Sequence, residues 1–384
     1  MSYQFRAALP TDLERMVALS TEAFAAEPRP FDPAADRPRS EWVLEAGDVL
    51  VAQATDIQFD SWFGGSRLAT AGIGNVVVAP EYRGTGAAKQ IMVASLQRAH
   101  ARGAVLSTLF GGAPGLYRRL GYELVASSKK WIVPLAALRG IDRPTTIKLR
   151  RATAADVAEL RQLHNRLAAE GSGMVDRTVG AIAPSGAQTT VAIDSFGSIM
   201  GALVWSTSNR GPGVSVHVSD LRVSSVDALR ALLSSLATWG SVADIVSVQA
   251  VDDEPFRLLL GGNAEPASVA PYMLRVLDVP GAISGRGWNP RVEGSVRIRV
   301  DDDVIEQNSG VWQLVATGGR VVVMPTSAEP DLTLTLRGLA LWFSGVTRCA
   351  ALRPLDLLVD GSDVTDALLD DLAAAPPVLV TEYF

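Results

Sequence analysis

Cysteine is almost missing from this 384-residue chain, Cys349 being the single example. That excludes an internal disulfide framework and any thiolate-held metal cluster, and it fits a reducing, cytoplasmic setting. Histidine is nearly as scarce. His100, His164 and His217 stand far apart without the spacing of metal ligands, so no metal site is expected and all three read as surface or satisfied core residues. Apolar runs break well before the ~20 residues needed to cross a bilayer, and no basic-then-apolar leader opens the chain, so neither a membrane span nor export is expected. Concentrated basic runs are also missing. With a net charge of -6, a groove built on phosphate contacts to nucleic acid is disfavoured.

What is present is an ordinary globular balance, 48% apolar and 20% charged, long enough for two or three domains. Two stretches align with one another: Phe5 to Met16 (FRAALPTDLERM) and Leu149 to Leu160 (LRRATAADVAEL). Each reads as a strand, a turn and a helix, with Thr11 or Asp12 placed to cap the first helix and Thr153 or Asp156 at the start of the second. The second copy follows a linker-like segment, Arg139 to Lys148, which favours a duplicated domain. After Ala282 to Pro290, rich in glycine and ending in proline, strand patterns (VRIRV, VWQLVAT, RVVVM, DLTLTLRG) precede two helical ones (LALWFSG, VTDALLDDLAAA). This predicts a third, α+β part starting near Arg286.

The most informative stretch is VVVAPEYRGTGAAKQIMVASLQ, Val76 to Gln97. Val76, Val77 and Val78 suit a buried strand, and Ala88, Ile91, Met92, Leu96 and Ala99 recur on one helix face. Between them, Arg83, Gly84 and Gly86 make a bend that presents free backbone N–H groups and the positive helix end to one spot, a shape suited to phosphate. Taken alone it reads rather as a glycine turn between strand and helix. Lys89 lacks a following Ser or Thr, so it is no P-loop, and the dinucleotide glycine spacing is missing.

Downstream, Ala104 to Val125 (AVLSTLFGGAPGLYRRLGYELV) gives strand, turn, short helix and strand. With this second element the sequence resembles the GNAT acetyltransferases. Arg83-Gly84-Thr85-Gly86-Ala87-Ala88 corresponds to their pyrophosphate loop, R/Q-x-x-G-x-G/A, and Tyr117 to Tyr122 to the Y-x-x-x-G-F/Y that follows it. The resemblance extends to the Eis (enhanced intracellular survival) branch through Asp253 to Leu260, Leu274 to Trp288, Asp331 to Gly345 and the ending PPVLVTEYF. It implies an α+β chain of tandem GNAT domains, 1–140 catalytic and 146–283 degenerate, followed by a sterol-carrier-protein-like domain over 286–384. The equivalent segment of the second copy, Val218 to Leu236, has no arginine-glycine loop and is expected to bind no coenzyme.

The resemblance further implies acetyl-CoA as co-substrate, held by loop residues Arg83, Gly84, Thr85, Gly86, Ala87 and Ala88 and by the main chain of Val76, Val77 and Val78. Tyr117 becomes the general acid for the departing thiolate, and the α-carboxylate of Phe384 the base for the incoming amine. Glu27, Asp32 and Glu123 stand as alternative bases. A homo-hexamer is implied as well. Members that acetylate aminoglycosides carry acids and other groups that this chain lacks: Ala26 follows Phe24 where an acid is expected, Tyr383 precedes the end, Gly112 replaces a serine and Asn75 an aromatic. Glu27 and Glu382 lie one position away. Phe24, Phe31, Trp42 and Tyr383 are thus expected to form a flatter, more aromatic pocket for a less cationic amine, a small molecule or a peptide. Two other readings remain open on the sequence: a hydrophobic-ligand binder using the third domain, and a scaffold with an inactive GNAT core.

Overall fold

A computed structural model describes residues 3–24, 37–178, 183, 186–208, 214–250 and 253–380. The first unit comprises β1 (Gln4–Ala7), α1 (Leu13–Phe24), β2 (Arg39–Ala46), β3 (Val49–Phe63), β4 (Ser66–Val78), α2 (Ala87–Ala101), β5 (Leu106–Phe110), α3 (Pro114–Arg118) and β6 (Glu123–Pro134). The second repeats that order as β7 (Lys148–Arg151), α4 (Val157–Glu170), an added β8 (Ser172–Val175), β9 (Gln188–Ile193), β10 (Ile199–Ser208), β11 (Ser215–Val223), α5 (Val226–Leu236), β12 (Ile245–Ala250), α6 (Asp253–Leu260) and β13 (Glu265–Val276). Helix α7 (Val279–Gly285) leads to β14 (Gly294–Val300), β15 (Gly310–Thr317), β16 (Arg320–Thr326), β17 (Leu332–Leu334), α8 (Leu336–Ser344), α9 (Cys349–Leu352), β18 (Leu358–Asp360) and α10 (Asp363–Ala373).

The two copies open on the same device. Arg6 pairs with Asp12 at 2.6 Å and Arg150 with Asp156 at 2.7 Å. Each carboxylate also accepts a backbone N–H at 2.7 Å, from Leu9 and from Thr153 respectively. The arginine hydrogen bonds hold both carboxyls far below the usual carboxylate range. Asp12 and Asp156, rather than Thr11, therefore close the turn into the helix.

Among the described residues one sheet of thirteen strands runs through both copies in the order β1-β2-β3-β4-β5-β13-β6-β12-β11-β10-β9-β7, with β8 attached to β3. The final strands are exchanged: β13 of the second copy lies between β5 and β6 of the first, and β6 sits beside β12. Helix α1 covers one face of the first copy through Met16 and Leu19 against Val43 and Val77, and α2 covers the other through Ala87 and Ile91 against Leu44, Ala52 and Ala54.

The third part is a second sheet, β16-β15-β14-β17-β18. Its core is continuous with the first copy, running from Phe63, Leu106 and Tyr272 through Trp288, Trp342 and Phe343 to Val378 and Val380. Strand β17 is shorter than the pattern DLTLTLRG predicts, because Thr335 caps α8 by accepting from Gly338 N–H and helix takes over at Leu336.

Candidate active site

Strands β4 and β5 pair in parallel at only three positions, Thr70–Leu106, Ala71–Ser107 and Gly72–Thr108. Past Gly72 the two part: β4 continues to Val78 while β5 follows β13 as far as the Tyr272–Phe110 pair. The main chain of Val76 to Val78 thus has no β5 partner on the side where it would have had one. Just past the fork β4 carries a bulge, the register slipping by one residue between its pairs with Gln53 and Thr55, and Asn75 takes a left-handed φ of 50° there.

Beyond β4 a 3-10 turn, Pro80–Tyr82, leads to Gly84 (φ 79°) and Gly86 (φ 90°), left-handed positions that favour glycine. Gly86 is the N-cap of α2 and no side chain caps the helix, so the first four N–H groups, Gly86 to Lys89, point outward unpaired. A Cβ placed on Gly84 or Gly86 would meet no heavy atom within 4 Å, so the loop is open around both glycines. Arg83 is exposed, its Nε donating to Val78 O at 3.4 Å. Thr85 braces the loop instead of facing a ligand: its hydroxyl donates to Tyr82 O at 2.6 Å and accepts from the Tyr3 hydroxyl at 2.6 Å. From Gly86 an open groove of 390 Å³ runs along the flank of α2 past Lys89, Gln90, Val93, Ala94 and Gln97.

Tyr117 ends up 8% exposed, packed with Ile73, Met92, Leu96 and Leu109 and edge-on to Tyr122 with ring centroids 6.0 Å apart. Burial raises its phenol above the ordinary 10, and among the described residues the hydroxyl has no hydrogen-bond partner. Tyr122 is buried completely and shares a 2.6 Å hydrogen bond with Ser107, which makes it a packing residue. Glu123, offered by sequence as an alternative base, is instead clamped at 2.8 Å by Arg118 and 2.6 Å by Arg337. Burial works to raise its pKa, but the arginines and the Leu124 N–H outweigh it and hold the carboxylate ionised and engaged.

The expected acceptor residues are only partly brought together. Phe24 ends α1, mostly exposed, and Asn75 Oδ1 accepts from Ser20 of α1 at 2.8 Å. Gly112 lies between β5 and α3, where an added Cβ would meet nothing within 4 Å. Trp42 sits elsewhere: it stacks on Phe5 at 5.2 Å and shares with Leu44 the sheet face covered by α2. Glu27, Phe31, Asp32, Glu382, Tyr383 and Phe384 lie outside the described residues. The sequence reading missed Gln53, Thr55 and Glu41, polar side chains on the α1 face; alternation along VLVAQATDIQF was the available signal.

The second copy keeps the topology without the opening. Strands β11 and β12 pair from Val216–Val246 to Val218–Val248 and, past a register shift, pair again at Leu221–Ala250, the last residue of β12. Ser225 caps α5 by accepting from Ala228 N–H, so that helix end is closed by its own side chain.

Residues 4–125 match the acetyltransferase (GNAT) domain family, and residues 279–380 match the sterol carrier protein domain family. The chain is a GNAT acyltransferase with a C-terminal sterol carrier protein domain. No curated protein matches its sequence. Among solved structures it is similar over its full length to a GCN5-related N-acetyltransferase from Kribbella flavida (28% identity, 98% of that chain, TM-score 0.84). A GCN5-related N-acetyltransferase from Anabaena variabilis (21% identity, all of both chains, TM-score 0.88) and Eis1 from Mycobacterium abscessus (20%, all of both chains, TM-score 0.77) share the fold. The tandem GNAT arrangement followed by a sterol-carrier-like α+β domain is thus the architecture of this acyltransferase.

Proposed function

We propose that this acyltransferase moves an acetyl group from acetyl-CoA to an amine by direct transfer in a ternary complex. The observation that carries the proposal is the fork between β4 and β5 ending at the uncapped start of α2. Acetyl-CoA supplies the activated acyl group; the residues present fit it, since the loop offers unpaired amides, open space and Arg83. Gly84, Gly86, Ala87 and Ala88 hold the pyrophosphate through backbone N–H groups, with Thr85 shaping the loop. Val76, Val77 and Val78 lend main-chain groups to the pantetheine arm. As the C–S bond breaks and the C–N bond forms, the Tyr117 hydroxyl gives its proton to the leaving sulfur.

The proton lost by the amine goes to the Phe384 α-carboxylate. Support comes from the direction of the preceding chain: Val378 bridges Ser172 in parallel, Leu379 N–H donates to Ser172 O at 2.8 Å, and Val378 and Val380 are buried. It runs alongside β8, antiparallel to β3, from the level of Phe63 towards Ser61. Residues 1–140 form the catalytic unit on this reading, 146–283 a non-binding copy and 286–384 the part that delivers the chain end. The acceptor is a small-molecule or peptide amine, and the resemblance carries a hexamer with it.

Calorimetric titration with acetyl-CoA tests the site, with micromolar binding expected. Deleting Phe384 should abolish most release of CoA thiol while binding persists; full turnover in the truncated chain would overturn the terminal base.

A further inference from the structure

We infer that the Thr108 hydroxyl positions the attacking nitrogen and makes the site select primary over secondary amines. The inference deepens the acyltransferase reading above and rests on it. Thr108 of β5 pairs with Gly72 of β4, the last pair before the two strands part. Ala71 and Ile73 pack with Met92 and Leu96 of α2, so Gly72 between them faces away from α2, and Thr108, its partner, lies on the same side. The neighbours of Thr108 agree: Leu109 packs with Met92 and Tyr117, and Ser107 bonds to Tyr122, all on the α2 side. Gly74, half-buried, is the next residue of β4 on the Thr108 face, so no β4 side chain stands between that hydroxyl and the opening of the fork.

Thr108 is fully buried, yet among the described residues its Oγ1 has no hydrogen-bond partner. The buried hydroxyl of Thr70, two residues before Gly72, shows the ordinary arrangement: it donates to Leu68 O at 2.9 Å and meets Ser61 at 2.5 Å. A buried hydroxyl without a partner is destabilising, and valine would give the same branched shape without that cost. A ligand in the fork supplies the missing partner. Tyr117 lies on the α2 side, so the incoming amine has the opposite side, where Thr108 stands. A neutral primary amine brings a lone pair and two hydrogens. As the C–N bond forms and the C–S bond breaks, the lone pair enters the acyl carbon, one hydrogen leaves as a proton to the base, and Tyr117 supplies the proton on sulfur. The second hydrogen stays on nitrogen in the product amide. It donates to Thr108 Oγ1 throughout, which aims the lone pair at the carbonyl carbon. A neutral secondary amine has a single hydrogen, which the base removes, and has nothing left to donate to Thr108.

Release of CoA thiol with phenethylamine and with N-methylphenethylamine tests this. The wild-type chain should favour the primary amine by about tenfold or more in kcat/KM, the worth of one hydrogen bond. Thr108→Val should lower kcat/KM for phenethylamine by about tenfold, change that for N-methylphenethylamine little, and leave the acetyl-CoA dissociation constant in place. Its melting temperature should hold or rise, which separates a lost contact from a damaged fold; Thr108→Ala serves if Thr108→Val does not fold. Thr108→Ser retains the hydroxyl and should retain the preference. A wild-type chain that binds acetyl-CoA but acetylates both amines equally, or neither, overturns this inference alone, as does a preference that survives in Thr108→Val or vanishes in Thr108→Ser. Failure to bind acetyl-CoA would refute the acyltransferase reading beneath it.

Discussion

On the proposed mechanism Tyr117 gives the proton to the leaving sulfur. Burial raises its phenol above the ordinary value, so the proton-bearing form persists to higher pH than for a free tyrosine. The alkaline limb of a kcat profile should therefore lie above pH 10, and a limb near neutrality would speak against Tyr117 as the acid. Tyr117→Phe should lower kcat by about a hundredfold or more and leave the acetyl-CoA dissociation constant unchanged by calorimetry. Tyr117 and Arg83 were legible in sequence because each belongs to a compact run with recognisable spacing. Trp42, Gln53 and Glu41 were not, because the face a strand residue occupies depends on every bulge before it. The register of β3 slips against β2 at Val51, between the Leu44–Ala52 and Glu45–Leu50 pairs, and β4 carries its own extra residue between Gly74 and Val77.

At the level of elements, the two copies give one topology two different helix starts. Helix α2 begins on Gly86 without a cap; α5 begins on Ser225 with one. Gly86→Ala would force a side chain into the left-handed region, a strain of about 1–2 kcal/mol, and turn the amides; acetyl-CoA affinity measured by calorimetry should fall about tenfold. Ser225→Ala should do the reverse, lowering thermal stability by about 1 kcal/mol without touching turnover. The far end of α2 is fixed to the sheet by Arg102, which grips buried Asp56 at 2.8 and 2.9 Å. The helix was readable from periodicity, since Ile91, Met92, Leu96 and Ala99 of the expected face are buried, although Ala87 and Ser95 are buried with them and Ala88 is only half-buried. The fork was not readable, because nothing local to β4 or β5 says where their pairing stops.

Across the whole molecule, Arg275 of β13 stitches three parts together. Its guanidinium donates to Leu120 O beside the Tyr117 helix and forms a bidentate pair with Asp302 of the third part at 2.7 and 2.8 Å, both side chains fully buried. Burial works to raise the Asp302 pKa, but the Arg275 charge and the N–H donors of Asn308, Ile305 and Val304 overcome it. The stability this carboxylate contributes is complete above the ordinary carboxylate range and is lost as pH falls through its depressed folded value. Asp302→Asn should cost about 3–5 kcal/mol by leaving a buried cation uncompensated, and its melting temperature should depend less on acid than that of the wild type. The core of the third part is filled by its own side chains, Trp288 stacked on Trp342 at 5.1 Å with Phe343 and Leu339 beside them.

The phosphate-shaped bend, the tyrosine motif and the repeated arginine-aspartate turn were determined by the sequence itself, because each depends on residues a few positions apart and on the conformations those residues allow. The exchange of β6 and β13, the fork beside β5, the closure of the second copy and the course of the chain towards Val380 were decided only in three dimensions. They depend on partners as distant as Leu120 and Arg275, 155 positions apart, and on which strand wins a neighbour when several of like composition compete.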